Sequence, residues 1–263
     1  MDLEHIIMQA CRIAKEVGQF IRNERITFSQ KEVKHKGIHN LVSYVDTQAE
    51  ELLVKALGNL IPDAGFIAEE NQALPRSETL NWIIDPLDGT TNFVHGVPVY
   101  SISIALMEHK EVIGGIVYEV NLDECFYTWK GSKAYLNGKI ISVSETSTLA
   151  ESLLATGFPY YDYSLMEPYV ALFKDLMKNT QGIRRLGSAA VDLVYVACGR
   201  FELFYEYGLN SWDVAAGALI VRQAGGEVTD FKGQEDYIFG AEIIASNAHT
   251  HDEFLSMINH FFR

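Results

Sequence analysis

Trp82-Ile83-Ile84-Asp85-Pro86-Leu87-Asp88-Gly89-Thr90-Thr91-Asn92-Phe93 is the stretch from which the rest of this chain can be read. It opens on an apolar run rich in β-branched residues, Trp82 to Ile84, of the kind that forms a buried strand. Asp85 falls where pairing is expected to stop, because Pro86 has no N–H to give a sheet ladder. Three residues on, Asp88 leads into Gly89, Thr90 and Thr91, which read as a turn with free amides and hydroxyls. Two carboxylates this close repel, and sharing a site pushes one pKa up unless a cation lies between them. Hard divalent ions such as Mg²⁺ take oxygen ligands of this kind, keep several waters and complete their shell with phosphate oxygens. The neighbouring amides could meet such an anion. By spacing alone an Asp-rich turn fits as well, since Asp, Pro and Gly are ordinary turn residues.

Residues 85–93 closely resemble the metal-binding signature of the inositol monophosphatase family, among the lithium-sensitive, Mg²⁺-dependent phosphatases that include fructose bisphosphatases and adenosine bisphosphate phosphatases. Further landmarks recur in order: Asn40-Leu41-Val42 leading to Asp46, Phe66-Ile67-Ala68-Glu69-Glu70, Gly187-Ser188-Ala189-Ala190, and Trp212-Asp213-Val214-Ala215-Ala216-Gly217. The resemblance spans nearly the whole chain. It implies a layered αβαβα sandwich of the α+β or α/β class, two mixed sheets flanked by helices, with the site between two halves. The implied activity is Mg²⁺-dependent hydrolysis of a small phosphate monoester, inositol monophosphate first. Histidinol phosphate, adenosine 3′,5′-bisphosphate, NADP and fructose 1,6-bisphosphate are sister specificities. A homodimer and, as in some bacterial relatives, a binding role in transcription or ribosome assembly are implied in the same way.

The resemblance also assigns roles. Glu69, Asp85 and the Leu87 carbonyl would hold a first Mg²⁺, and Asp85, Asp88 and Asp213 a second, with Glu69 reaching a third through water. Asp88, Gly89 and Thr90 would face the phosphate, and the Thr90 hydroxyl with Asp46 would position the attacking water. Ala189 and Glu206 would meet the substrate's ring hydroxyls, and Lys34 or Lys36 would serve a segment that closes over the site. Two departures stand out: Ala68 where Gly is usual before the acids, and Asn210 where some animal relatives carry His.

Composition sets bounds. The 263 residues fit one catalytic unit, residues 1–263, divisible near 144–150 into an N-terminal α+β part (about 1–145) and a C-terminal α/β part (146–263); 48% hydrophobic content suffices for a large core. A net charge of −14 argues against general nucleic-acid binding or an anionic membrane surface. Cys11, Cys125 and Cys198 are odd in number and lack metal-type spacing, as expected of idle thiols in a reducing compartment. The N-terminus has no signal-peptide pattern and no apolar run spans a bilayer, so a cytoplasmic protein is expected.

Along the chain, Leu3 to Ile21 has the period of an amphipathic helix. Residues 27–40 turn basic and polar, a solvated loop or hairpin by their residues alone. Asp46 sits where an N-cap belongs before the helical pattern Ala49 to Leu60. Adjacent acids on an extended segment point to opposite sides, so Glu69 and Glu70 cannot both face one ion. Residues 99–106 and 112–120 predict a hairpin, with Gly114-Gly115 marking a close backbone approach, and 124–129 a further strand before the Asn137-Gly138 turn. Residues 153–157, 201–207, 227–231 and 242–246 read as strands. Residues 166–177, the segment after Ala190, the stretch from Trp212 to Gly225-Gly226, and 249–262 read as helices. Ser211 is the expected cap of the third of these, an acid near the end of the 201–207 strand usually faces solvent, and His249 and His251 are surface candidates.

Overall fold

The computed structural model describes residues 1–29, 34–35, 41–160 and 162–262. In chain order it begins with α1 (Leu3–Thr27), the two-residue strands β1 (Lys34–His35) and β2 (Leu41–Val42), and α2 (Tyr44–Leu60). There follow β3 (Gly65–Ala68), β4 (Leu80–Asp88), the short α3 (Thr90–His95), β5 (Ser101–Glu108), β6 (Glu111–Glu119), β7 (Glu124–Trp129), β8 (Tyr135–Leu136) and β9 (Lys139–Ile140). The remainder is β10 (Leu153–Thr156), α4 (Met166–Asn179), β11 (Gly182–Arg184), α5 (Ala189–Ala197), β12 (Leu203–Tyr207), α6 (Ser211–Gln223), β13 (Glu227–Thr229), β14 (Glu242–Ser246) and α7 (His251–Phe261).

Strands β3 to β9 lie side by side in sequence order as a seven-stranded sheet, antiparallel except for the parallel pair β3–β4. A second sheet has the order β11-β10-β12-β14-β13, parallel among its first three strands and antiparallel beyond. Helices α1 and α2 cover one face of the first sheet, α5 and α6 fill the space between the sheets, and α4 and α7 cover the far face of the second. The result is the αβαβα layering expected, with one hydrophobic core at each outer helix layer and a third around α5 and α6.

Period-two alternation divides each strand between cores. On β4, Trp82 and Ile84 pack under α1 and α2, whereas Ile83 faces the middle layer. The middle layer is tight. A Cβ on Gly115 would stand 2.8 Å from the Ala216 carbonyl oxygen, and one on Gly217 would stand 2.7 Å from Leu193 Cβ. Small residues thus let α6 rest directly on β6 and against α5, the close approach that Gly114-Gly115 foretold. At the Asn137-Gly138 turn both residues take positive φ, 47° and 83°, as a two-residue hairpin demands.

Several local expectations are corrected. Pro86 does not end the pairing: β4 continues to Asp88 with a register shift, Asp85 opposite Ser103 and Asp88 opposite Ser101. Gly89 is not in a simple turn but caps α3 at φ 97°. The cap of α2 is Ser43 rather than Asp46, and that of α6 is Asn210 rather than Ser211. His251 is buried, between Ser246 Oγ (2.9 Å) and Thr229 Oγ1 (3.0 Å), because the closing helix begins against the second sheet.

Candidate active site

The bulge in β4 decides the site. Residues three apart on a regular strand point to opposite faces, so Asp85 and Asp88 would be separated by the sheet. Between them β4 spends one more residue than β5, and that extra residue turns Asp88 back to the face of Asp85. The face is the inner one, since their partners Ser103 and Ser101 reach the Trp212 carbonyl (2.9 Å) and Ser188 Oγ (3.3 Å). Glu69 follows from the parallel pairing of β3 with β4. Ile67 lies beside Ile83, the Glu69 N–H donates to the Ile84 carbonyl at 3.3 Å, and the alternation that sends Ile67 inward sends Glu69 inward too. The adjoining corner is held from behind, where the buried Glu50 of α2 accepts from the N–H groups of Glu70 and Asn71, each at 2.8 Å.

Three helix starts converge on these acids. Asp46 is the third residue of α2 and closes a capping box, its Oδ2 accepting from the N–H (2.9 Å) and hydroxyl (2.6 Å) of Ser43. Its Oδ1 accepts from Thr90 Oγ1 at 2.8 Å, and the Leu87 carbonyl lies 3.1 Å from the same hydroxyl. Asp88 reaches the first turn of α5, its Oδ2 accepting from Ser188 Oγ (2.6 Å) and Ala190 N–H (2.8 Å). Asp213, third in α6, accepts from the Asn210 N–H at 2.6 Å. Each acid thus spends one oxygen on an N-terminal turn, where helix dipoles favour negative charge.

What is left over is mutual repulsion. Oxygens of Asp85, Asp88 and Asp213 lie within 4.8 Å of one another. Burial, then the charge of Asp88, pushes Asp213 up to about 7. Burial likewise raises Asp88 to about 6, against the hydrogen bonds from Ser188 and α5. Asp85 is raised well above the carboxylate range by burial, then by Glu69 and Asp88, and Glu69 by burial, then by Asp213 and Glu70. Acids that raise one another in this way fit a divalent cation, whose charge would remove the penalty. Their all-oxygen donor set suits a hard ion.

The cleft around them has a volume of about 340 Å³ and is lined also by Leu87, Gly89, Thr90, Ala189 and Glu206. Glu206 is buried, not solvent-facing, because β12 is sandwiched between two helix layers; Phe204 and Glu206 share its inner face. A Cβ on Gly157 would collide with the Glu206 carboxylate, so the loop after β10 closes directly on that acid. Lys34 and Lys36 cannot be compared: the side chain of Lys34 and all of Lys36 lie outside the described residues. Sequence reasoning gives Ser188 no bond to Asp88, and no role to Glu50, Arg185 or Asp192. The last two line the cleft, and only the placement of Asp192 one turn into the helix capped by Ser188 could have signalled it.

A sequence profile of the inositol monophosphatase family matches residues 2–260. The Fructose-1,6-bisphosphatase/inositol-1-monophosphatase of Thermotoga maritima is 41% identical over 86% of this chain and 85% of its own length. The Nus factor SuhB of Pseudomonas aeruginosa is 39% identical over 90% of each. The crystal structure of the extragenic suppressor protein suhB from Bartonella henselae superposes with a TM-score of 0.91 at 35% identity, covering 98% of both chains. Fold and acid cluster together define a phosphatase of the metal-dependent kind. The chain belongs to the inositol monophosphatase family.

Proposed function

We propose that the protein is a Mg²⁺-dependent phosphatase of small phosphate monoesters, with inositol monophosphate as its main substrate. The observation that carries this reading is the convergence of Asp85, Asp88 and Asp213, from two distant parts of the chain, within 4.8 Å of one another. Glu69, Asp85 and the Leu87 carbonyl would hold one ion, Asp85, Asp88 and Asp213 another, and Glu69 a third through water. Bound there, Mg²⁺ would lower the pKa of an attacking water and neutralise the leaving alkoxide.

The chain's own groups do the positioning. Thr90 has one hydroxyl proton, and donating it to Asp46 leaves the lone pairs of Oγ1 to accept from water. Asp46 is locked by Ser43 and cannot swing away. The amides of Gly89 and Thr90, at the start of α3, are offered to the phosphate, while Ala189 and Glu206 are offered to the alcohol. Most of the acceleration comes from placement and preorganised charge.

The test is phosphate release from myo-inositol 1-phosphate by the purified protein, with and without Mg²⁺. Asp88→Asn and Asp213→Asn abolish release while circular dichroism stays native, and lithium inhibits the wild type; full activity in either variant ends the reading. We also propose a cytoplasmic homodimer. The support is an exposed apolar stripe on α4, Met166, Val170 and Met177, and three free thiols, with sedimentation as the check. No helix among the described residues is long and apolar enough to cross a membrane. The similarity to a Nus factor favours a second, non-catalytic role. Such a role would survive Asp88→Asn in a pull-down.

A further inference from the structure

We infer that Ser101 and Ser103 of β5, neither of which lines the cleft, are positioning residues that hold the starts of α5 and α6 at the separation where Asp213 can share one divalent cation with Asp85 and Asp88. This role rests on the phosphatase reading and deepens it, since it says what sets the spacing of the proposed metal ligands.

The inner face of β5 runs Ser101, Ser103, Ala105, Met107, so the strand is apolar along the middle core and polar where it passes the acids. Both serines are buried, and a buried hydroxyl is costly unless it is bonded. Each finds its partner across the layer boundary, at a helix start. Ser103, opposite Asp85 in the pairing of β4 with β5, donates from Oγ to the Trp212 carbonyl at 2.9 Å, and Trp212 immediately precedes Asp213 in the first turn of α6. Ser101, opposite Asp88, lies 3.3 Å from Oγ of Ser188, the cap of α5. Proton counting orients that pair. Ser188 has one hydroxyl proton and gives it to Asp88 Oδ2 at 2.6 Å, so its Oγ accepts from Ser101. Asp88 and Ser101, which face each other across two strands, thus grip the same cap.

These bonds oppose a force. Asp213 comes from the second half of the chain and Asp85 and Asp88 from the first, and without a cation their clustered carboxylates repel, the more strongly for being buried. Asp88 is itself tied to α5 through Ser188 and Ala190, whereas the bonds of Asp213 stay within its own helix cap, at Asn210. One turn beyond Trp212, Ala216 rests on Gly115, but such a packing contact limits approach far more than it resists withdrawal. A directed hydrogen bond resists withdrawal, and Ser103 supplies one beside Asp213. Loss of either hydroxyl would therefore act on the ion shared by both halves. An ion held by Glu69, Asp85 and the Leu87 carbonyl, all from the first half, would be spared.

The experiment titrates the purified protein with Mn²⁺ and counts the bound ion by electron paramagnetic resonance, in wild type, Ser103→Ala, Ser101→Ala, Asp213→Asn and Ile258→Val. The class of Mn²⁺ lost in Asp213→Asn identifies the shared ion. Ser103→Ala weakens that class by roughly 10- to 100-fold, the usual loss when a group behind a metal ligand is removed, and leaves other binding unchanged. Ser101→Ala weakens the same class less, because Asp88 keeps its own bonds to α5, and it carries the test if Ser103→Ala does not fold. In both variants the Mg²⁺ concentration for half-maximal phosphate release rises in step, with kcat recovered at saturation. Ile258→Val, in the far core, lowers the melting temperature and leaves Mn²⁺ binding as it is. The positioning role is overturned if the shared class keeps its affinity in the serine variants, if all bound Mn²⁺ weakens equally, or if Ile258→Val weakens it as much. Selective loss of the shared class in a protein that releases phosphate from no ester upholds the positioning role and removes the phosphatase reading alone. A wild type that binds no Mn²⁺, or whose binding survives Asp213→Asn intact, overturns both.

Discussion

Asp46 and Asp213 occupy the same place on two helices, the third residue, and each returns one oxygen to the residue that caps its helix. Their second oxygens differ. That of Asp46 is already engaged by the Thr90 hydroxyl, whereas that of Asp213 accepts from no described residue and the carboxylate stands among Asp85 and Asp88. A single local device can serve two chemistries, because the cap consumes only half of a carboxylate. What the other half does is set by the neighbours that the fold delivers, a hydroxyl in one case and like charges in the other.

The largest effect that would break this comparison is opposite behaviour on neutralisation. Asp213→Asn is expected to cut kcat/KM by at least about 10²- to 10³-fold, as lost electrostatic stabilisation does. It should also raise the melting temperature of the metal-free protein, since it removes a repelling charge. Asp46→Ala is expected to lower both activity and melting temperature, leaving the Ser43 and Thr90 donors unpaired at a cost of about 1–3 kcal/mol. If both variants move stability in the same direction, the two acids are not in different electrostatic states.

A pH scan sharpens the same contrast. Asp88 and Asp213 titrate in the folded chain near 6 and 7, above their ordinary value of 3.8. Native protein therefore holds protons that the unfolded chain releases from about pH 4 upward, and metal-free stability falls as pH rises through that window to about 7. Saturating Mg²⁺ should flatten the dependence, and Mg²⁺ affinity should rise with pH over the same range. Thermal melts at fixed ionic strength, with and without the ion, measure both.

Smaller changes probe the supports. Glu50→Gln, which weakens the hold on the Glu69 corner, is expected to raise the Mg²⁺ concentration for half-maximal activity by roughly tenfold, with kcat restored at saturation. A structural defect alone would lower the maximum instead. Smallest is Ser43→Ala, which costs about 1 kcal/mol of stability by denaturant titration.

Much of this was legible because the chemistry lies in short runs. Residues 82–93 announce the strand and its two acids together, and the helical periods of α1 and α2 need no tertiary information. The layering came from resemblance, not from periodicity. What could not be read were contacts between runs. The bulge that keeps Asp85 and Asp88 on one face depends on how β5 pairs, which the local meaning of Pro86 does not carry. Capping residues slipped by one to three positions because Ser43, Asp46, Asn210, Ser211 and Asp213 are all competent caps, and tertiary neighbours choose among them. His251 looked like a surface residue because nothing near it in sequence shows that Thr229 and Ser246 enclose it. Arg185 and Asp192 acquire meaning only when β12 places Glu206 beside them.

The middle layer has a practical outcome. Helices α5 and α6 are encoded in the second half of the chain, yet they seal the inner face of a sheet encoded in the first, with Ala216 resting on Gly115. A fragment ending near residue 145 would present Ile83, Ala105 and Val117 to water and is expected to aggregate when made alone. Co-expression with the complementary fragment should restore a soluble pair able to bind the ion, because the halves are interlocked like a hinge with its pin rather than strung together as separable beads.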